Sequence, residues 1–124
     1  MDISIAQASI QFSAKLILLM DSIKNREYIK EQIMQTIGSL GSNIIAAQHE
    51  SGRQERNRFV KAALTDCRSL SYWLQLLLAA NSISDSQNIT LQHLYSKLYT
   101  SLMQAAQSEE PRTPVVCPMT PRNQ

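Results

Sequence analysis

The sequence predicts an all-α chain, an antiparallel up-down four-helix bundle, on three observations. Apolar residues recur at spacings of three and four through four separate stretches. The links between those stretches are short and carry helix-capping residues. No stretch of useful length alternates with the period of two that a strand needs.

Ile5, Ala8, Phe12, Leu16, Leu19 and Ile23 fall on one face of a first helix. "IKNRE" follows, with Asn25 placed to end that helix or cap the next. Ile29, Ile33, Ile37, Leu40 and Ile44 repeat the pattern in a second helix. "HESGRQE" supplies Gly52 for a turn, and Ser51 with Gln54 has the spacing of a capping box at the start of a third helix. That helix is expected from about Arg53 to Ala80, burying Phe59, Ala63, Cys67, Leu70, Leu74 and Leu77. At "NSISDSQ", Asn81 closes the third helix, and Ser84 with Gln87 forms a second box. Leu91, Leu94, Leu98, Leu102 and Ala105 line a fourth helix. The bundle is thus expected over residues 1–108. All four prolines lie beyond it, in "EEPRTPVVCPMTPRNQ", so residues 109–124 are expected to be a disordered tail.

A chain of 124 residues fits one domain. Twelve basic residues against ten acidic ones leave a net charge of +2, so total charge points to no partner and any basic surface must come from clustering. The start, "MDISIAQ", has no basic leader, and the aliphatic runs "LILLM" and "LLLAA" fall far short of the roughly 20 residues a membrane span needs. The expectation is a soluble, unprocessed protein with no membrane partner. Cys67 and Cys117 occupy unlike contexts and do not form a disulfide framework, so a reducing cytoplasm is the simpler compartment.

Two of the three glycines, Gly38 and Gly41, lie within the second helix, where each costs roughly 1 kcal/mol relative to alanine. With Met34 and Ile45 they form a second stripe about 100° round from the apolar one. Close packing offsets such a cost, against either another helix of the same bundle or a second subunit. Ile17, Leu18, Met20, Tyr72, Leu76 and Leu78 also fall off the main stripes, and that apolar excess favours self-association.

"SLGSNIIAAQ", followed after a spacer by "KAALTDCRSLSYWLQLLLAANSI", resembles the four-helix-bundle family encoded in intervening sequences of bacterial 23S rRNA genes. The resemblance runs from about the second helix to the fourth. Ser39, Gly41, Asn43, Ile44, Asp66, Tyr72, Trp73, Leu74, Leu76 and Leu77 match, whereas Ala46 and Ser69 stand where the family tends to have carboxylates. Those two departures argue against a polar site inside the bundle. The resemblance implies a homo-oligomeric ring, commonly a pentamer, with no catalytic activity. A more distant similarity, at the level of fold, is to the accessory variability protein of diversity-generating retroelements, a basic pentamer that binds nucleic acid and a reverse transcriptase.

Chemistry-bearing groups are sparse. His49 and His93 lack a His or Cys at metal-ligand spacing, "GSLG" lacks the lysine of a phosphate loop, and the carboxylate pairs Glu27 with Glu31 and Glu109 with Glu110 sit on a polar face and in the tail. No enzyme, metal or cofactor is expected. The strongest functional signal is the cluster Arg53, Arg56, Arg58, Lys61 and Arg68 on the third helix, against only Glu55 and Asp66. Arg53, Lys61 and Arg68, with Asn57, share a stripe that could follow a phosphate backbone, and Tyr72, Tyr95 and Tyr99 are available to stack on bases. An amphipathic helix also carries charge simply because its outer face is solvated. Met34, Gly38, Gly41, Ile45, Tyr72, Trp73 and Leu76 are the expected oligomer or helix-packing positions. The expected function is a non-enzymatic accessory protein binding RNA or a nucleoprotein, such as a reverse-transcriptase complex. The alternative is a scaffold ring recruiting a protein partner.

Overall fold

A computed structural model describes residues 3–109, which form α1 (Ile3–Ser22), α2 (Glu27–His49), α3 (Arg53–Ala79) and α4 (Asp85–Glu109). No strand occurs among them. Each helix packs against two neighbours, in the cycle α1, α2, α3, α4 and back to α1, and the backbones of the diagonal pairs do not approach closely. The result is an antiparallel up-down bundle around one core. The tail expected over 109–124 lies, past Glu109 itself, outside the described residues.

Every helix contributes fully buried side chains: Phe12 and Leu16, Ile33 and Leu40, Leu70 and Leu74, Leu98 and Leu102. Each such side chain contributes about 1.5–3 kcal/mol relative to exposure. Two expectations need correction. Phe59 is only half-buried, and Val60 and Leu64 are buried in its vicinity of α3. Met20, expected outside the core stripe, is also buried. Met20, Val60 and Leu64 are added because a helix with two packed neighbours buries a wider arc than one stripe. Near the start of α3 that arc centres on Val60, Ala63 and Leu64, which leaves Phe59 at its edge.

The turns show which capping signals were used. Asn81 adopts a left-handed conformation (φ 60°), its N–H donates to the Leu78 carbonyl at 3.0 Å, and the Ser82 N–H donates to the Leu77 carbonyl at 2.9 Å. This is a Schellman closure of α3 with Asn in the place usually taken by Gly. The Ser84–Gln87 box forms reciprocally: the Ser84 N–H donates to Gln87 Oε1 at 2.8 Å, and the Gln87 N–H donates to Ser84 Oγ at 3.1 Å. Ser84→Ala is expected to cost about 1 kcal/mol in urea unfolding, and a change within a few tenths would show that the box does not hold α4. The Ser51–Gln54 box is not formed. Gly52, in extended conformation, occupies the cap position of α3, so the box register falls one residue away.

At the α1–α2 turn Asn25 and Arg26 both have positive φ (67° and 63°), and Arg26 caps α2 without a side-chain cap bond. Its Nε donates to Ser82 Oγ at 3.0 Å, tying this turn to the α3–α4 turn at the same end of the bundle. Lys30 Nζ donates to the Ile23 carbonyl at 2.8 Å just past α1, where a cation complements the negative helix terminus.

Candidate nucleic-acid interface

The two polar sides of α3 carry opposite charge. Asp66 faces α2, where its Oδ2 accepts from Ser39 Oγ at 2.8 Å and from Asn43 Nδ2 at 3.0 Å. Arg68, about 200° round the helix, turns toward α4, with its guanidinium carbon 5.9 Å from the centre of the Tyr99 ring. Tyr99 stacks on Tyr95 at 5.4 Å and 17°, and Tyr95 meets Phe12 edge-on at 5.8 Å. A line of ring contacts thus runs from an exposed cation to the core.

The five expected basic residues do not act alike. Arg53, Lys61 and Arg68 are exposed, as a phosphate-binding stripe needs. Arg58 is exposed but paired with Glu55 at 3.0 Å, and it lies over the Phe59 ring at 5.4 Å. Arg56 is half-buried and donates to the Glu50 carbonyl at 3.2 Å, holding the α2–α3 link. Asn57 is half-buried, its Oδ1 out of contact with solvent and lacking a hydrogen-bond partner. The stripe is therefore narrower than the composition of α3 suggests.

Met34 and Ile45 are 43% and 59% exposed, and a Cβ added at Gly38 or Gly41 would meet nothing within 4 Å. Packing of this stripe within its own bundle, one of the two expected explanations of the glycines, is overturned: Ser39 and Asn43 turn the opposite flank of α2 to α3. On α1, Ile10 and Ile17 are 66% and 39% exposed. Helical spacing puts Ile17 about 200° from Lys15, which lines a groove of about 290 Å³ with α4. Both apolar stripes therefore border the α1–α2 seam, on the other side of the bundle from Arg68 and Tyr99. Of the other expected packing positions, Tyr72 is exposed, while Trp73 and Leu76 are half-buried.

The Ser39–Asn43–Asp66 cluster was not foreseen as a contact. Its residues had matched as a packing pattern, and only the pairing of α2 with α3 shows that the two segments exchange hydrogen bonds. Its role is to fix the register of those helices.

Cys67 is the free cysteine among the described residues and is fully buried. Burial first, and then the neighbouring Asp66 charge, push its thiol from about 9 up to about 12, against a smaller opposing pull from Arg68. Because the folded state holds this proton more tightly, the group contributes stability below pH 9 that is lost as pH rises toward 12. Iodoacetamide at pH 8 is expected to leave Cys67 unmodified in the folded protein and to label it in urea, read by peptide mapping. Labelling at equal rates would overturn the buried assignment. Burial also raises the Tyr95 hydroxyl, with Cys67 and Tyr99 adding to the effect and Ser71 and Arg68 opposing it. No group of three or more His, Cys, Asp or Glu that could hold a metal occurs among the described residues, and no helix there is long and apolar enough to cross a membrane.

The model of the 23S rRNA-intervening sequence protein family matches residues 1–104. Among solved structures, a protein with unknown function from the S23 ribosomal protein family of Bacteroides thetaiotaomicron VPI-5482 superposes with a TM-score of 0.76 at 21% identity, covering 83% of this chain and 98% of that one. At that identity the likeness is one of fold. No curated protein matches the chain.

Proposed function

Since the chain belongs to the 23S rRNA-intervening sequence protein family, we propose that it is a non-enzymatic accessory protein that self-associates, as a ring such as a pentamer, and binds RNA or a nucleoprotein. The observation that carries this reading is the separation of two surfaces. Arg53, Lys61 and Arg68 are exposed on α3, with Tyr99 beside Arg68, and the open apolar stripes lie across the bundle at the α1–α2 seam. If the α1 stripe of one copy packs on the α2 stripe of the next, the head-to-tail contact can close a ring. Such a ring leaves the basic side outward and repeats it in every subunit, multiplying a weak phosphate contact through avidity. A reverse-transcriptase complex is one nucleoprotein of this kind.

Binding of a labelled single-stranded RNA across a salt series tests the reading. Arg53→Glu with Lys61→Glu is expected to weaken binding strongly and to flatten the slope of log K against log salt by about one for each phosphate contact removed. Binding that ignores both salt and these changes would leave the alternative, a scaffold ring that recruits a protein partner.

A further inference from the structure

Tyr28 and Tyr72 are 67% and 61% exposed, and both lean on Trp73, which is half-buried against the core. Tyr28 of α2 meets the indole at 6.3 Å and 76°, and Tyr72 of α3 meets it at 5.4 Å and 69°. Two tyrosine rings thus stand steeply against one indole, and aromatic-lined slots of this kind receive the rings of an extended polyproline segment at low entropic cost. Carboxylates border the α2 side of this face. Glu27 and Glu31 are exposed next to Tyr28 and one turn along from it, and Lys30 between them is drawn to Glu27 at 3.3 Å and to the Ile23 carbonyl. On this α2 side two carboxylates can pair with a basic residue of a peptide, while Arg26 stands two residues before Tyr28 and Arg68 one turn before Tyr72.

The chain itself contains such a peptide. Pro118, Met119, Thr120 and Pro121 have the spacing recognised by polyproline grooves, and Arg122 follows. Trp73 lies about 30 Å along α3 from Arg53, and α4 ends at Glu109 at that same Arg53 end of the antiparallel bundle. At about 3.1 Å per residue, a polyproline path from Glu109 advances roughly 37 Å by Pro121, enough to reach the aromatic face of its own or a neighbouring copy.

We propose that the Tyr28–Trp73–Tyr72 face binds the chain's own Pro118–Pro121 segment, with Arg122 against Glu31. The proposal does not rest on RNA binding by Arg53, Lys61 and Arg68. Trp73 is the chain's single tryptophan, so its fluorescence reports the site directly. In the full chain, Pro118→Ala with Pro121→Ala is expected to shift Trp73 emission to longer wavelength and to increase its quenching by acrylamide. A synthetic peptide of residues 110–124 carrying Cys117→Ser is then expected to restore the wild-type spectrum. Identical spectra for both proteins and no response to peptide would overturn the proposal. So would a Trp73 response to oligouridylate but not to peptide, which would make the face a base-stacking platform. Tyr28→Ala with Tyr72→Ala removes exposed rings and is expected to keep the helical circular dichroism while losing the peptide response. A peptide response that survives this change also overturns the proposal.

Discussion

Phe12→Ala is expected to remove about 3–5 kcal/mol of stability, the usual cost of emptying a buried phenylalanine site. Phe12 is fully buried, and its ring meets Tyr95 edge-on at 5.8 Å, so it is a main anchor of α1 on α4. The loss would be a large share of the roughly 5–15 kcal/mol that holds a domain folded. Urea unfolding followed by circular dichroism measures it, and a loss below about 1 kcal/mol would show that the site collapses around the gap or that α1 is held elsewhere.

The second large effect has two readouts that move in opposite directions. Gly38→Ala with Gly41→Ala is expected to stabilise the protomer, because alanine is preferred over glycine in a helix by roughly 1 kcal/mol per site and nothing stands within 4 Å of either added methyl. The same two methyls would separate any helix of a second copy packed on that stripe, so the expected product is a more stable protomer that no longer assembles. Light scattering after size-exclusion chromatography reads the mass, and thermal unfolding reads the stability at matched concentration. An assembly that survives the change would remove the glycine stripe from the interface.

The helices were legible because apolar spacing is local information. The Ser84–Gln87 box and the Asn81 closure were legible for the same reason, since cap and partner lie within a few residues. Ser51 and Gln54 misled because Gly52, between them, takes the cap position once the chain leaves α2 in extended conformation. The glycine stripe was visible as a pattern, yet which helix faces it depends on how α2 rolls, and the Ser39–Asn43–Asp66 bonds set that roll from 23 and 27 residues away. On α3 the sequence supplied the cations, and the structure gave them different surroundings: Arg56 serves a backbone carbonyl, Arg58 an acid, and Arg68 lies beside Tyr99. The pairing of Arg68 with Tyr99 had no signal in the sequence, because two helices and a turn had to be placed before the residues met.

Three of the four helix seams join elements that follow one another along the chain, whereas the fourth brings α1 to α4 across the whole of α2 and α3. Closing that loop costs entropy that the local hairpins do not incur, so the ring of helices is expected to close last on folding. Anchors such as Phe12 then act mainly by slowing unfolding. If α1 leaves, it gives up its seams with α4 and with α2, while the α2–α3 and α3–α4 seams stay intact. A released α1 can dock into the vacated groove of a second copy, which makes exchange of the first helix a natural route by which two chains become entangled.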